Sequence, residues 1–151
     1  MTQLEVVDRP ADRLPGEILV VPLFADQRPL AGPVAVVDWR LDGVVTRMIL
    51  AGELSGRQGE VLAIPTNAKF AAPWVILIGC GLRRPLDGRG YTSMVKRFLK
   101  LVARAGIGEV ALCLPPGDGV DPAEIERIVR DALVAPSRLA ICRLARGTQF
   151  V

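Results

Sequence analysis

Short apolar runs and stretches of helical periodicity take turns along this chain. Residues 3–7 (QLEVV) form a short apolar-rich candidate strand. After the polar turn DRPADRLPG comes EILVVPLF, residues 17–24, nearly continuous in apolar residues as a strand buried on both faces must be. A proline-rich loop, ADQRPLAGP, leads into a stretch in which Val37, Leu41, Val44, Val45, Met48 and Ile49 recur at helical spacing. Asp38, Arg40, Asp42, Thr46 and Arg47 take the other side, so the pattern predicts one amphipathic helix ending near Gly52.

Beyond the turn SGRQG, residues 60–64 and 73–80 give two more strands, the second rich in Val and Ile. Residues 91–105 read as a helix with the apolar stripe Met94, Val95, Phe98, Leu101, Val102 and Ala105, and Gly106 is placed to end it. GEVALCLP, residues 108–115, is the next strand. Residues 121–135 carry helix-start signals, with Asp121 at the N-cap, Pro122 in the first turn and Glu124 three residues after the cap. Its buried face is expected to be Ile125, Ile128, Val129 and Ala132. A last strand lies in SRLAICRLA, residues 137–145, and RGTQFV is a tail. The order β-β-α-β-β-α-β-α-β predicts a three-layer α/β/α domain with a mixed sheet, because strand–helix–strand units pack their crossovers on the sheet faces. One domain over residues 1–151 is the expected organisation.

Composition then removes function classes. At 151 residues and 50% hydrophobic, the chain has material for one real core. Its longest apolar runs fall far short of the ~20 residues a membrane span needs, so no membrane partner is expected. The first residues carry Glu5, Asp8 and Asp12 and no basic-then-apolar signal pattern, which points to a cytoplasmic home. The three cysteines, Cys80, Cys113 and Cys142, sit in apolar runs about thirty residues apart, a spacing that fits buried thiols rather than a zinc knuckle or a disulfide framework. Histidine is absent altogether, which excludes imidazole acid/base chemistry, Ser-His-Asp and Cys-His nucleophiles and His-ligated metals. No metal or cofactor is expected.

Two features carry candidate chemistry. The first is WVILIGCGLRRPLDGRG, residues 74–90, a strand running into a glycine-rich loop. Arg84 stands where the third glycine of a dinucleotide fingerprint belongs, and no Walker lysine follows, so neither standard phosphate loop is present. Gly79 and Gly81 can still bring backbone N–H groups to a phosphate, with Arg83, Arg84 and Arg89 adding charge; equally, the glycines can serve only a tight strand exit. The second feature is charge. Residues 83–104 hold seven basic residues against Asp87 alone, a local charge of +6 in a chain whose total is +3. Lys96, Lys100 and Arg104 recur every four residues with Arg97 beside them, forming a basic stripe opposite the apolar one and continuing toward the arginine loop. Such a stripe can follow a phosphate backbone, face an acidic partner or simply be solvated. Weaker candidates are Asp38 and Asp42 as paired carboxylates, Tyr91 as a stacking group or a helix-start residue, and Thr66, Asn67 and Lys69 as liners of the same sheet edge.

Taken in order, EILVVPLF with the RPLAG loop, VVDWRLDGVVTRMI, GELSGRQGEVLAI and WVILIGCG before a helix resemble the N-terminal domain of the leucyl (cytosol) aminopeptidase family, over residues 16–115. The resemblance implies a macro-domain-like fold. It implies no catalytic residue, because that family's two-metal site and catalytic lysine and arginine lie in a separate domain marked by an NTDAEGR-type segment, and nothing here is similar to it. What it does imply is packing in an assembly, with a contribution to DNA binding in some bacterial members. Three functions follow as expectations: a noncatalytic assembly or regulatory module, as a homo-oligomer or with a protein partner; a nucleotide or ADP-ribose-like binder through residues 79–90; and, last, a hydrolase of ADP-ribose linkages.

Overall fold

The computed structural model describes residues 2–83, 85–133 and 137–145. Six strands, β1 (Gln3–Val7), β2 (Ile18–Leu23), β3 (Val61–Pro65), β4 (Trp74–Gly79), β5 (Glu109–Leu112) and β6 (Ile141–Ala145), form one sheet in the order β1-β6-β5-β2-β4-β3. Every neighbouring pair is parallel except β3 with β4. Helices α1 (Pro33–Arg40) and α2 (Val44–Leu50) cover one face, and α3 (Gly88–Arg104) and α4 (Pro122–Ala132) the other, giving the three layers and mixed sheet expected from the alternation. The predicted tail and the last two residues of the helix predicted over 121–135 lie outside the described residues.

The strands read as apolar runs because both sheet faces are cores. On β2 all six residues are buried: Leu19, Val21 and Leu23 point into the α1–α2 core, Ile18 and Val20 into the α3–α4 core. On α3 the buried stripe is Tyr91, Met94, Val95, Phe98, Leu99 and Val102; Leu99 joins the expected set, Leu101 is only half-buried, and Ala105 is exposed because the helix ends at Arg104. Asp121 caps α4 as expected, its carboxylate accepting the Glu124 N–H at 2.8 Å.

The single helix expected up to Gly52 is two helices. Asp42 and Gly43 adopt φ of 57° and 77°, and two successive left-handed residues cannot continue a right-handed helix. The Gly43 N–H closes back on the Asp38 carbonyl, and the Asp38 carboxylate accepts from both the N–H and the hydroxyl of Thr46 in the first turn of α2. Asp38 is therefore a cap and not half of a catalytic pair; Asp42 points elsewhere and pairs with Lys69 Nζ at 2.6 Å. The Asp-Gly dipeptide was the signal for this break.

Candidate functional site

In parallel sheets, loops leaving the carboxyl ends of neighbouring strands diverge where the chain order reverses, and a crevice opens there. Here it opens between β2 and β5. Val20 turns its carbonyl to β5 and accepts the Cys113 N–H at 3.1 Å; Pro22, two residues on, faces the same way but has no N–H, so the ladder ends. Beyond it lies a crevice of about 350 Å³ bounded by Pro22, Pro33, Pro115, Pro116, Gln27 and Phe24. Among the described residues, Arg83 is the only charged side chain on its lining.

The glycine corner sits beside this crevice with its donors already occupied. Gly79 donates to the Glu60 carbonyl at 2.7 Å, Cys80 to Leu23 at 2.9 Å and Gly81 to Gly56 at 2.8 Å. A Cβ on Gly79 would lie 2.0 Å from the Arg57 carbonyl oxygen, so glycine stands there to let the 55–60 turn pack on β4. Gly81 is needed for its φ of +72°. Neither offers a free N–H to a phosphate.

Arg83 and Leu86 are tied down on both sides. The Arg83 N–H donates to Asp26 at 2.8 Å, and the Asp118 carboxylate accepts the Leu86 N–H at 2.8 Å and the Arg83 guanidinium at 3.3 Å. The Leu86 N–H holds the Asp118 carboxyl below its usual range, with Arg83 assisting. Arg83 thus turns into the crevice instead of continuing the stripe on α3. Arg89 is exposed in the first turn of α3, and Arg84 lies outside the described residues. Tyr91 is fully buried, its hydroxyl donating to the Pro115 carbonyl at 2.6 Å, so it braces the β5 exit and has no face for a ligand. Thr66, Asn67 and Lys69 do not share this edge: β3 runs antiparallel, which carries the β3–β4 turn to the opposite end of the sheet. There Thr66 is buried, donating to the Ala72 carbonyl at 2.8 Å.

Lys96, Arg97, Lys100 and Arg104 are all exposed along α3. The three thiols are buried; burial pushes Cys80 up to about 11 and Cys142 up to about 12, and Cys113 higher still, so none is a thiolate near neutral pH. Among the described residues no group of three or more Cys, Asp or Glu side chains could hold a metal ion, and no helix is long and apolar enough to cross a membrane.

The model of the cytosol aminopeptidase family's N-terminal domain matches residues 20–135. The chain belongs to that family. Probable cytosol aminopeptidases of Halorhodospira halophila and Idiomarina loihiensis are 30% and 33% identical over 90 and 95 residues, 60% and 63% of this chain but 18% and 19% of those proteins. The chain therefore spans about a fifth of the length of these relatives, and the part matched is the aminopeptidase N-terminal domain, not the catalytic one. Among solved structures, the macrodomain of Mycobacterium tuberculosis DarG superposes with a TM-score of 0.70 at 13% identity, covering 98% of this chain and all of that one. Tomato leucine aminopeptidase superposes at 0.68 and 13% identity, covering 96% of this chain and 32% of that one. Identities this low establish the macro-like fold and nothing finer.

Two residues that shape the crevice of this aminopeptidase N-terminal domain, Pro22 and Asp118, stand outside the candidates read from sequence. Pro22 reads as a blemish in an apolar run, and Asp118 reads as a turn residue in PPGDG. A proline inside a central strand was the available signal, since such a residue needs a place where the ladder stops.

Proposed function

We propose that this domain is a noncatalytic assembly or regulatory module that works through its outer faces, as a homo-oligomer or with a protein partner. The observation that supports it is the set of large apolar side chains left to solvent. Trp39 is 75% and Leu50 81% exposed on the α1–α2 pair, and Val61 is 48% and Trp74 45% exposed on β3 and β4. Scattered apolar residues are ordinary on a surface, but two tryptophans among them on two separate faces fit contact surfaces. The occupied donors of the glycine corner fit the same reading.

Light scattering coupled to gel filtration tests it. The expected result is a discrete oligomer that Trp39→Glu or Leu50→Glu reduces toward monomer without loss of fold. A strict monomer that ignores every candidate partner counts against it. Assays for amino-acid release and for ADP-ribose hydrolysis are expected to show no turnover.

A second reading has one observation of its own, the crevice with Arg83 on its lining, which suits a small anionic ligand such as a nucleotide. A thermal-shift series with ADP-ribose and nucleotides at millimolar concentration separates the two readings. Saturable stabilisation that Arg83→Ala removes favours the ligand site.

A further inference from the structure

Among the described residues the sheet has six strands, yet its α3–α4 side carries two helices. A helix with its side chains is about 10 Å across and neighbouring strands are about 4.8 Å apart, so one helix covers about two strands. Helix α3 crosses from β4 to β5 over β2, and α4 from β5 to β6, so among the described residues the β4–β3 end of that face is left without a helix.

Burial follows this geometry. Val61, Ala63 and Pro65 stand directly opposite Ile78, Ile76 and Trp74, and directly opposed residues share a face. Ile78 belongs to the α3–α4 core and Ile76 packs against it, which fixes the face; Leu62, Ile64, Val75 and Leu77 point into the other core. Moving outward from α3, cover is lost: Ile76 is half-buried, and Trp74, Val61, Ala63 and Pro65 are exposed. These residues make an apolar floor about one helix wide.

The wall of this slot is basic. Arg97, Leu101 and Arg104, spaced i, i+4, i+7, lie on one flank of α3, with Leu101 half-buried at its foot and both arginines exposed. The Arg97 charge acts on Cys80 at the exit of β4, which places this flank on the β4 side, away from α4. Lys100 stands further out on the same helix. Glu60, the acid at the start of β3, is held by the Ser55 and Gly56 N–H groups, and Arg57 is beside it.

The open backbone edge of β3 competes with the slot as a docking feature, and it is short. The Gly79-to-Glu60 and Thr66-to-Pro73 hydrogen bonds set the antiparallel alternation, so Val61, Ala63 and Pro65 turn their backbone groups outward. Pro65 has no N–H, which leaves two residues able to pair fully and favours a segment lying over the face instead of a strand added to the edge.

We infer that this slot docks an amphipathic helical segment of a partner protein, apolar where it lies on Trp74, Ile76, Ala63 and Val61 and acidic along the flank that meets Arg97 and Arg104. The inference rests on the assembly reading and names its partner chemistry. A second copy of the chain suits the slot less well, because pairing these faces about a twofold axis brings two basic rows together.

Trp39→Phe leaves Trp74 as the one tryptophan of a chain that has 2, so its emission reports on the slot. The probes are synthetic helical peptides of about 18 residues, long enough to hold a helix, with one leucine stripe and a flank of Glu, Gln or Lys. The Glu peptide is expected to blue-shift Trp74 emission saturably, and its affinity to fall about tenfold in Arg97→Glu/Arg104→Glu and to weaken with added salt. Circular dichroism and thermal unfolding confirm that each variant folds. The inference is overturned by no saturable shift with the Glu peptide, by equal shifts with all three peptides, or by displacement of the Glu peptide by duplex DNA, which would make the flank a nucleic-acid site. A blue shift that grows with protein concentration alone and disappears in Ala63→Glu also overturns it, since a second copy would then fill the slot. Self-association through α1–α2 with no peptide binding would sink this inference and leave the assembly reading standing. Ligand binding in the crevice, with neither self-association nor peptide binding, would sink both.

Discussion

Strand β4 ends in a corner where every backbone donor from Gly79 to Gly81 already has a carbonyl, while along its length the same strand leaves Trp74 and Ile76 without a covering helix. The corner looks like a cradle in sequence because glycines after a strand often meet phosphates. It is closed because a second turn, at residues 55–60, comes within contact distance and takes the Gly79 and Gly81 donors, while Leu23 at the end of β2 takes that of Cys80. The β3–β4 face looks in sequence like any apolar strand pair, yet part of it is open. Residue type sets what a group can bond to, and the neighbours brought by the fold set whether it is still free to do so.

The sharpest way to break this comparison is Gly79→Ala. If the corner is packed as described, a Cβ 2.0 Å from the Arg57 oxygen forces the 55–60 turn away, and urea unfolding should register a loss of about 4 kcal/mol or more, or no folded protein at all. A loss under about 1 kcal/mol would mean that the turn yields easily and the donors can be released.

Next in size is alkaline pH. The Cys80 thiol ionises near 9.0 when solvated and near 11 in the fold. Between those values the folded state keeps a proton that the unfolded chain has lost, so stability is fully present below about pH 9 and falls as pH rises through the window, on the order of 2 kcal/mol from this group. Cys142, raised to about 12, extends the decline. Denaturant midpoints from pH 8 to 11 should fall, and less steeply in Cys80→Ala.

Tyr91→Phe should cost about 1–2 kcal/mol, since it leaves the buried Pro115 carbonyl without its donor. Activity-independent readouts suffice: the denaturant midpoint drops while the far-ultraviolet dichroism stays the same. The smallest effect belongs to the open face, where Val61→Thr should change stability by no more than about 1 kcal/mol because Val61 is small, 48% exposed and replaced by a residue of the same shape. A large loss there would show the face to be core after all.

Much of this fold was legible in one dimension. The continuous apolar run of β2, the caps of α4 and the apolar stripe of α3 predict their elements to within a few residues, because burial on two sheet faces or on one helix face imposes a short-range period. The break between α1 and α2 was legible too, at Asp42-Gly43, but a good helical period masked it. Less of the candidate site could be read. Arg83 reads in sequence as a charge beside the glycine loop, but its bond to Asp118 joins residues 35 apart, and no local pattern carries that pairing. Tyr91 was seen as a ligand platform or a helix-start residue; its burial against Pro115 depends on how closely α3 lies on β5.

By itself, then, the sequence determined the alternation of strands and helices, the two-sided core, the buried thiols and the exclusion of imidazole chemistry. These follow from residue type and from periods of two or 3.6 residues, which are properties of neighbouring positions. Only the packed fold settles that β3 runs antiparallel and sends residues 66–69 to the far end, that the glycine donors are occupied, and that among the described residues no helix covers the face beside Arg97. Each of these depends on hydrogen bonds or packing between segments tens of residues apart.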